Sequence, residues 1–105
     1  RLLQNGVETF IARPTTEEVT LAGTLVLFHG CSHQGEDWFR LPEEVLFVRA
    51  ALARKLLVVA FTTPSHSGNF CWPSVGAAGE EVLRTIRTAL ASVIAAEAPL
   101  GEPLP

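Results

Sequence analysis

The apolar positions of the chain fall into blocks with different periods. Thr24–Phe28 (TLVLF) and Leu56–Phe61 (LLVVAF) are short continuous apolar runs. Such runs suit strands buried on both faces, as in a parallel sheet under helices. Between them, Pro42-Glu43-Glu44 opens a helix. Proline is tolerated at a first helical position, where its missing N–H would have no intrahelical acceptor. Two glutamates suit the positive end of the helix dipole. Val45, Val48, Ala51, Leu52 and Lys55 form one stripe, and Arg54 and Lys55 sit at the negative end, so the pattern predicts a helix over 42–55. A second helix is predicted over 79–97. Its apolar residues Val82, Leu83, Ile86, Ala89, Leu90, Val93 and Ile94 recur at helical spacing. Glu80 and Glu81 are placed in its first turn, and Pro99 marks its stop. Residues 7–12 (VETFIA) alternate loosely and are read as an edge strand. Arg13 to Glu18 is read as a turn, and Val19 to Leu21 as another short strand.

The order strand–helix–strand–helix, with apolar strands and one-sided helices, is that of an α/β fold with a partly parallel sheet and two main helices. The expected division is an edge-strand region over 1–23, a βαβα core over 24–98, and a linker over 99–105. In such sheets ligands bind at the carboxyl ends of the strands. That end carries two loops, residues 29–41 and 62–75, and any function is expected there.

Composition narrows the classes. A chain of 105 residues is one small domain's worth, and 48% hydrophobic with 18% charged residues is too apolar for a disordered tail. The net charge is −3, and the eight Lys and Arg are scattered, with Arg54–Lys55 the one adjacent pair. No basic stripe points to nucleic acid. No apolar run approaches the about 20 residues of a membrane span, and RLLQNG at the start lacks the apolar core of a signal peptide. A soluble chain is expected, and its compartment is not readable. The sequence has no methionine, and Pro99 to Pro105 reads as a linker. The expectation is therefore a piece of a longer protein.

Chemistry concentrates after the first apolar run, at His29-Gly30-Cys31-Ser32-His33. A glycine there lets the backbone turn sharply and bring N–H groups close to a ligand. The stretch LVLFHG, then a loop, a helix, LLVVAF and a further helix, resembles the first half of an α/β-hydrolase. HGCSH, LPEE and the pair Cys71-Trp72, in that order, are similar to a group of plant and algal α/β-hydrolase-like proteins. The similarity covers about residues 19–98. The resemblance implies a three-layer αβα fold and a small-molecule acyl substrate for the parent protein. The loop after the strand would supply one backbone N–H of an oxyanion hole. Gly30 would be the close-approach glycine, and Cys31, or the adjacent Ser32, would offer the N–H. Such a donor contributes roughly 3–4 kcal/mol to the lowering of an acyl-transfer barrier.

The family's triad needs G-x-S-x-G at a strand-to-helix elbow, then an acid, then a histidine. This chain has no G-x-S-x-G, its only aspartate is Asp37, and its last histidine is His66. None of the catalytic triad is present, so these residues alone are expected to hydrolyse nothing. The nucleophile strand would pair with the open edge of the last strand. Left bare, that edge would favour self-association.

Plainer readings compete at each position. His29 is either a satisfied histidine at a strand end or a shaper of the oxyanion loop. His33 is either a substrate contact or an idle loop residue. Ser65-His66-Ser67 places a serine beside a histidine, but triads are assembled from distant segments. His29, Cys31, His33, His66 and Cys71 do not show the usual zinc spacings, and no metal or cofactor is implied. Cys31 and Cys71 are able to bridge, because both loops sit at one sheet edge, but free thiols are the simpler reading. Cys71-Trp72-Pro73-Ser74 offers an alternative class, a monothiol redox protein using Cys71. Trp38 and Phe39 in the first loop, and Phe70 and Trp72 in the second, either wall a pocket or cap the core. His29, His33, Trp38 and Trp72 are taken as candidate pocket lining. A non-catalytic interaction domain is the third functional class.

Overall fold

The apolar run Leu56–Phe61 becomes the centre of the sheet. The computed structural model describes residues 2–4, 6–14, 20–64, 71–73 and 76–97. In chain order these form β1 (Leu2–Gln4), β2 (Val7–Ala12), β3 (Gly23–Phe28), a 3-10 helix (Gly35–Phe39), α1 (Pro42–Ala53), β4 (Leu56–Phe61) and α2 (Gly76–Glu97). The sheet order is β1-β2-β4-β3. β1 and β2 form an antiparallel hairpin, and β2 also pairs antiparallel with β4. β3 and β4 are parallel and in full register, from Gly23 beside Leu56 to Phe28 beside Phe61. Parallel neighbours need a crossover, and α1 supplies it.

The alternation of side chains along β4 sorts the core into two layers. Leu57, Val59 and Phe61 pack with Val7, Leu21 and, from α2, Ile86, Ala89 and Val93. Val58 and Ala60 pack on the other face with Phe10, Leu27 and, from α1, Val48 and Ala51. The two helices therefore cover opposite faces, which makes three layers. Residues 57–61 are completely buried. That explains why β4 has no polar alternation: both of its faces are covered. Leu57, Val58, Val59 and Phe61 each contribute about 1.5–3 kcal/mol by leaving water. At the far end of the sheet, Arg13 just after β2 pairs with Glu97 at the end of α2.

The small mixed α/β class, the partly parallel sheet and the two helices agree with the sequence. Several details differ. β2 is interior, because the short β1 covers it; an alternating pattern does not say on which side a neighbour lies. Residues 20–22 are not a strand, although Leu21 is buried in the α2 layer; Val19 lies outside the described residues. α1 ends at Ala53, with Arg54 as its cap. Lys55 has φ +65° and turns the chain into β4, off the stripe expected for it. α2 begins at Gly76 rather than 79, so Glu80 and Glu81 fall beyond its first turn. The linker over 99–105 lies outside the described residues.

The largest correction concerns the open edge. β4, the last strand, lies between β2 and β3, so its edges are both paired. Among the described residues, the unpaired edges belong to β1 and β3. The crossover through α1 inserts β4 inside the sheet, and chain order alone does not reveal that.

Candidate functional site

The carboxyl ends of β3 and β4 lie side by side, and a histidine joins them. His29, the residue after β3, is only 4% exposed. Its Nε2 accepts a hydrogen bond from the N–H of Thr63, two residues past β4, at 3.0 Å. Nε2 therefore carries the lone pair, and Nδ1 carries the proton, which it donates to the carbonyl of Gly30 at 2.7 Å. Trp72 Nε1 donates to the His29 carbonyl at 3.0 Å, and the two rings lie 5.1 Å apart. The imidazole has no free nitrogen. It holds the first loop against the end of β4, as a satisfied histidine at a strand end.

Beyond it the chain makes a tight turn, closed by the His33 N–H on the Gly30 carbonyl at 3.2 Å. Ser32 occupies the turn with φ +67°, a conformation few side chains other than glycine adopt freely. The closing bond uses the His33 N–H and leaves the amides of Cys31 and Ser32 outside it. Cys31 is bonded to Cys71, across a sequence separation of 40 residues, and the described cysteines include no free thiol. This corrects the free-thiol reading. Both cysteines follow the carboxyl ends of adjacent parallel strands, which is why the two loops meet.

A second set of bonds ties the 3-10 helix to the sheet. Gly35 N–H donates to Thr62 Oγ1 at 2.9 Å, and that hydroxyl donates to Glu8 Oε1 at 2.9 Å. Gly35 is buried; a Cβ there would stand 3.0 Å from the Phe61 backbone and 3.1 Å from the Phe10 ring. Asp37 closes the 3-10 helix by accepting from the Gln34 N–H at 3.0 Å. It also meets His33 Nδ1 at 3.1 Å and accepts from Arg40 Nη2 at 2.6 Å. Partial burial pushes the Asp37 carboxyl upward. Its hydrogen bonds from Arg40, Gln34 and His33, with the Arg40 charge, outweigh this and hold it below the usual carboxylate value.

Two grooves flank this end of the sheet. One, of about 340 Å³, lies on the α1 side between Trp38, Phe47, His33 and the carboxylates of Asp37, Glu43 and Glu44, with His29 and Gly30 also lining it. The other, of about 260 Å³, lies on the α2 side and is lined by Phe28, Trp72, Pro73, Val82 and Leu83. The candidate lining residues thus divide. His29, His33 and Trp38 share the first groove, while Trp72 belongs to the second. Trp38 faces Phe47 at 5.8 Å, and Trp72 meets Phe28 edge-on at 5.0 Å. Ser65, His66, Ser67, Phe70 and Ser74 lie outside the described residues.

Glu8, Gly35, Thr62 and Thr63 anchor the site and carry no sequence motif. The one available signal is Thr62-Thr63 directly after an apolar strand. Among the described residues, no three His, Cys, Asp or Glu side chains converge to hold a metal ion. No helix there is long and apolar enough to cross a membrane.

Fold and site together define a small mixed α/β domain with two cross-linked loops at the carboxyl end of its parallel strands. Compared with models of known families, with curated proteins and with solved structures, the chain matches none.

Proposed function

We propose that the chain carries the oxyanion-loop portion of a serine-hydrolase-type acyl site, of α/β-hydrolase kind, and that alone it is catalytically inactive. The observation behind this reading is the turn Gly30–His33, set at the carboxyl end of a parallel strand and fixed from below by His29. Gly30 permits close approach, and the Cys31 N–H, with Ser32 beside it, is the donor a developing oxyanion would use. A donor helps catalysis only if it is preorganised. Here the His29 bonds and the Cys31–Cys71 bridge hold the loop from both ends. The parent protein would act on an ester, thioester or amide, with the nucleophile, acid and histidine supplied by further chain.

Two measurements test the proposal. Turnover of activated esters by the 105-residue chain is expected to equal the buffer rate. A rate above background that disappears on substituting a residue of this chain overturns it. The transcript beyond the codon for Pro105 is expected to encode a strand followed by G-x-S-x-G, and an immediate stop codon in a full-length transcript overturns the hydrolase reading.

An interaction domain is the second reading, favoured by the uncharged sequence of β3, whose outer edge is unpaired among the described residues. The monothiol alternative gains no support, because Cys71 is spent in the bridge.

A further inference from the structure

The α1-side groove, at about 340 Å³, has the size of a site for one small ligand. Trp38 and Phe47 line it with their rings 5.8 Å apart. The indole nitrogen of Trp38 is buried and has no hydrogen-bond partner among the described residues. This side chain therefore offers the groove carbon and not a donor. Phe47 is half exposed.

The fixed charge around the groove has one sign. Among the described residues, no Lys or Arg lines it. Asp37 is already engaged by Arg40, Gln34 and His33. Glu43 and Glu44 are not engaged: among the described residues neither forms an ion pair. Both sit in the first turn of α1, where the helix dipole is equivalent to about half a positive charge. Two carboxylates exceed that, so the rim is left negative. It does not suit a metal ion, because no three ligating side chains converge among the described residues. Carboxylates beside aromatic rings suit a larger, weakly hydrated cation, attracted by the ring quadrupoles and the rim charge together.

We propose that this groove binds a small organic ammonium ion and holds it beside the turn at residues 30–33. Gly30 and His33 belong to that turn and line the same groove, so a cation seated there is next to it. Where the turn is an oxyanion loop, the cation is part of the acyl substrate, an ester or amide that carries a positive charge. Only this last step rests on the acyl-site reading; the binding stands apart from it.

Titration of the 105-residue chain with choline, followed by nuclear magnetic resonance, tests the binding without any turnover. Saturable shifts are expected at the Trp38 ring and the Gly30 amide together. Dimethylbutanol, the uncharged isostere with carbon in place of the quaternary nitrogen, is expected to bind about tenfold more weakly. Glu43→Gln with Glu44→Gln is expected to raise the dissociation constant for choline about tenfold. Phe47→Leu, which keeps the apolar bulk and removes the ring, should raise it about threefold. Both variants should keep the circular dichroism of the unsubstituted chain. No saturable shift, equal binding of the two probes, or shifts that leave Trp38 and Gly30 unmoved overturn the proposal. So does uptake of acetate in place of choline, which would mean that the α1 dipole outweighs the two glutamates. Choline binding by a chain whose full-length transcript stops after Pro105 supports the groove and removes the acyl reading alone. A transcript that goes on to encode G-x-S-x-G, with no choline binding, removes the groove alone.

Discussion

Single residues decide how close the first loop comes to the sheet. Gly35 is buried between the end of β4 and the Phe10 ring, and its N–H bonds to Thr62. A methyl group there would press on backbone that cannot swing aside. Gly35→Ala is therefore expected to destabilise the fold by about 1–3 kcal/mol, as overpacking does, measured by urea denaturation. An unchanged midpoint would show that the 3-10 helix can lift off the sheet freely. Gly35 did not stand out in the sequence. Gly30 did, because it follows an apolar run and a histidine. The difference is physical: Gly30 is set by a local turn, whereas Gly35 is set by contact with residues distant in the chain.

At the scale of elements, the 3-10 helix depends on Asp37, which closes it and holds Arg40 and His33. The folded state holds this carboxyl below its ordinary value. Its stabilising contribution is therefore complete above the unfolded pKa of about 3.9. It is lost as pH falls through the lower folded value. Acidification should loosen the 3-10 helix first, read as a change in the near-ultraviolet circular dichroism of Trp38 and Trp72. Asp37→Asn should remove that acid step, and a step that survives the substitution would place the titrating group elsewhere. β4 and α1 were legible in the sequence because their signals are local: an unbroken apolar run, and Pro with two acids at a helix start. The position of β4 inside the sheet was not. Leu56–Phe61 reads the same whether its second neighbour is β2 or a later strand, and pairing between distant segments settles the matter. The start of α2 was missed for a related reason. Gly76, Ala77 and Ala78 carry no stripe, so the periodic part of the helix begins later than the helix itself.

For the whole molecule, the bridge between Cys31 and Cys71 is the main long-range restraint. It closes a loop of about 40 residues containing α1 and β4, and by chain entropy such a closure is worth about 4 kcal/mol. The double variant Cys31→Ser, Cys71→Ser should lose about 2–4 kcal/mol in denaturant titration. The unsubstituted chain with reductant should match it. Equal stability with and without reductant would mean that the two thiols are not joined in solution. The existence of two cysteines in loops at one sheet edge was legible; that they touch was not. Their contact depends on β3 and β4 being immediate neighbours.

The two parallel strands have one more consequence. After β3 the chain departs toward the face covered by α1, and after β4 toward the face covered by α2. Where successive connections part in this way, a doubly wound sheet has its topological switch point, and the gap there ordinarily admits a ligand. In this chain the gap is already taken. The imidazole of His29 spans it, plugged into the Thr63 amide on one side and the Gly30 carbonyl on the other. A molecule that binds here must rest on top of that plug, at the turn of Cys31 and Ser32, or first pull it out.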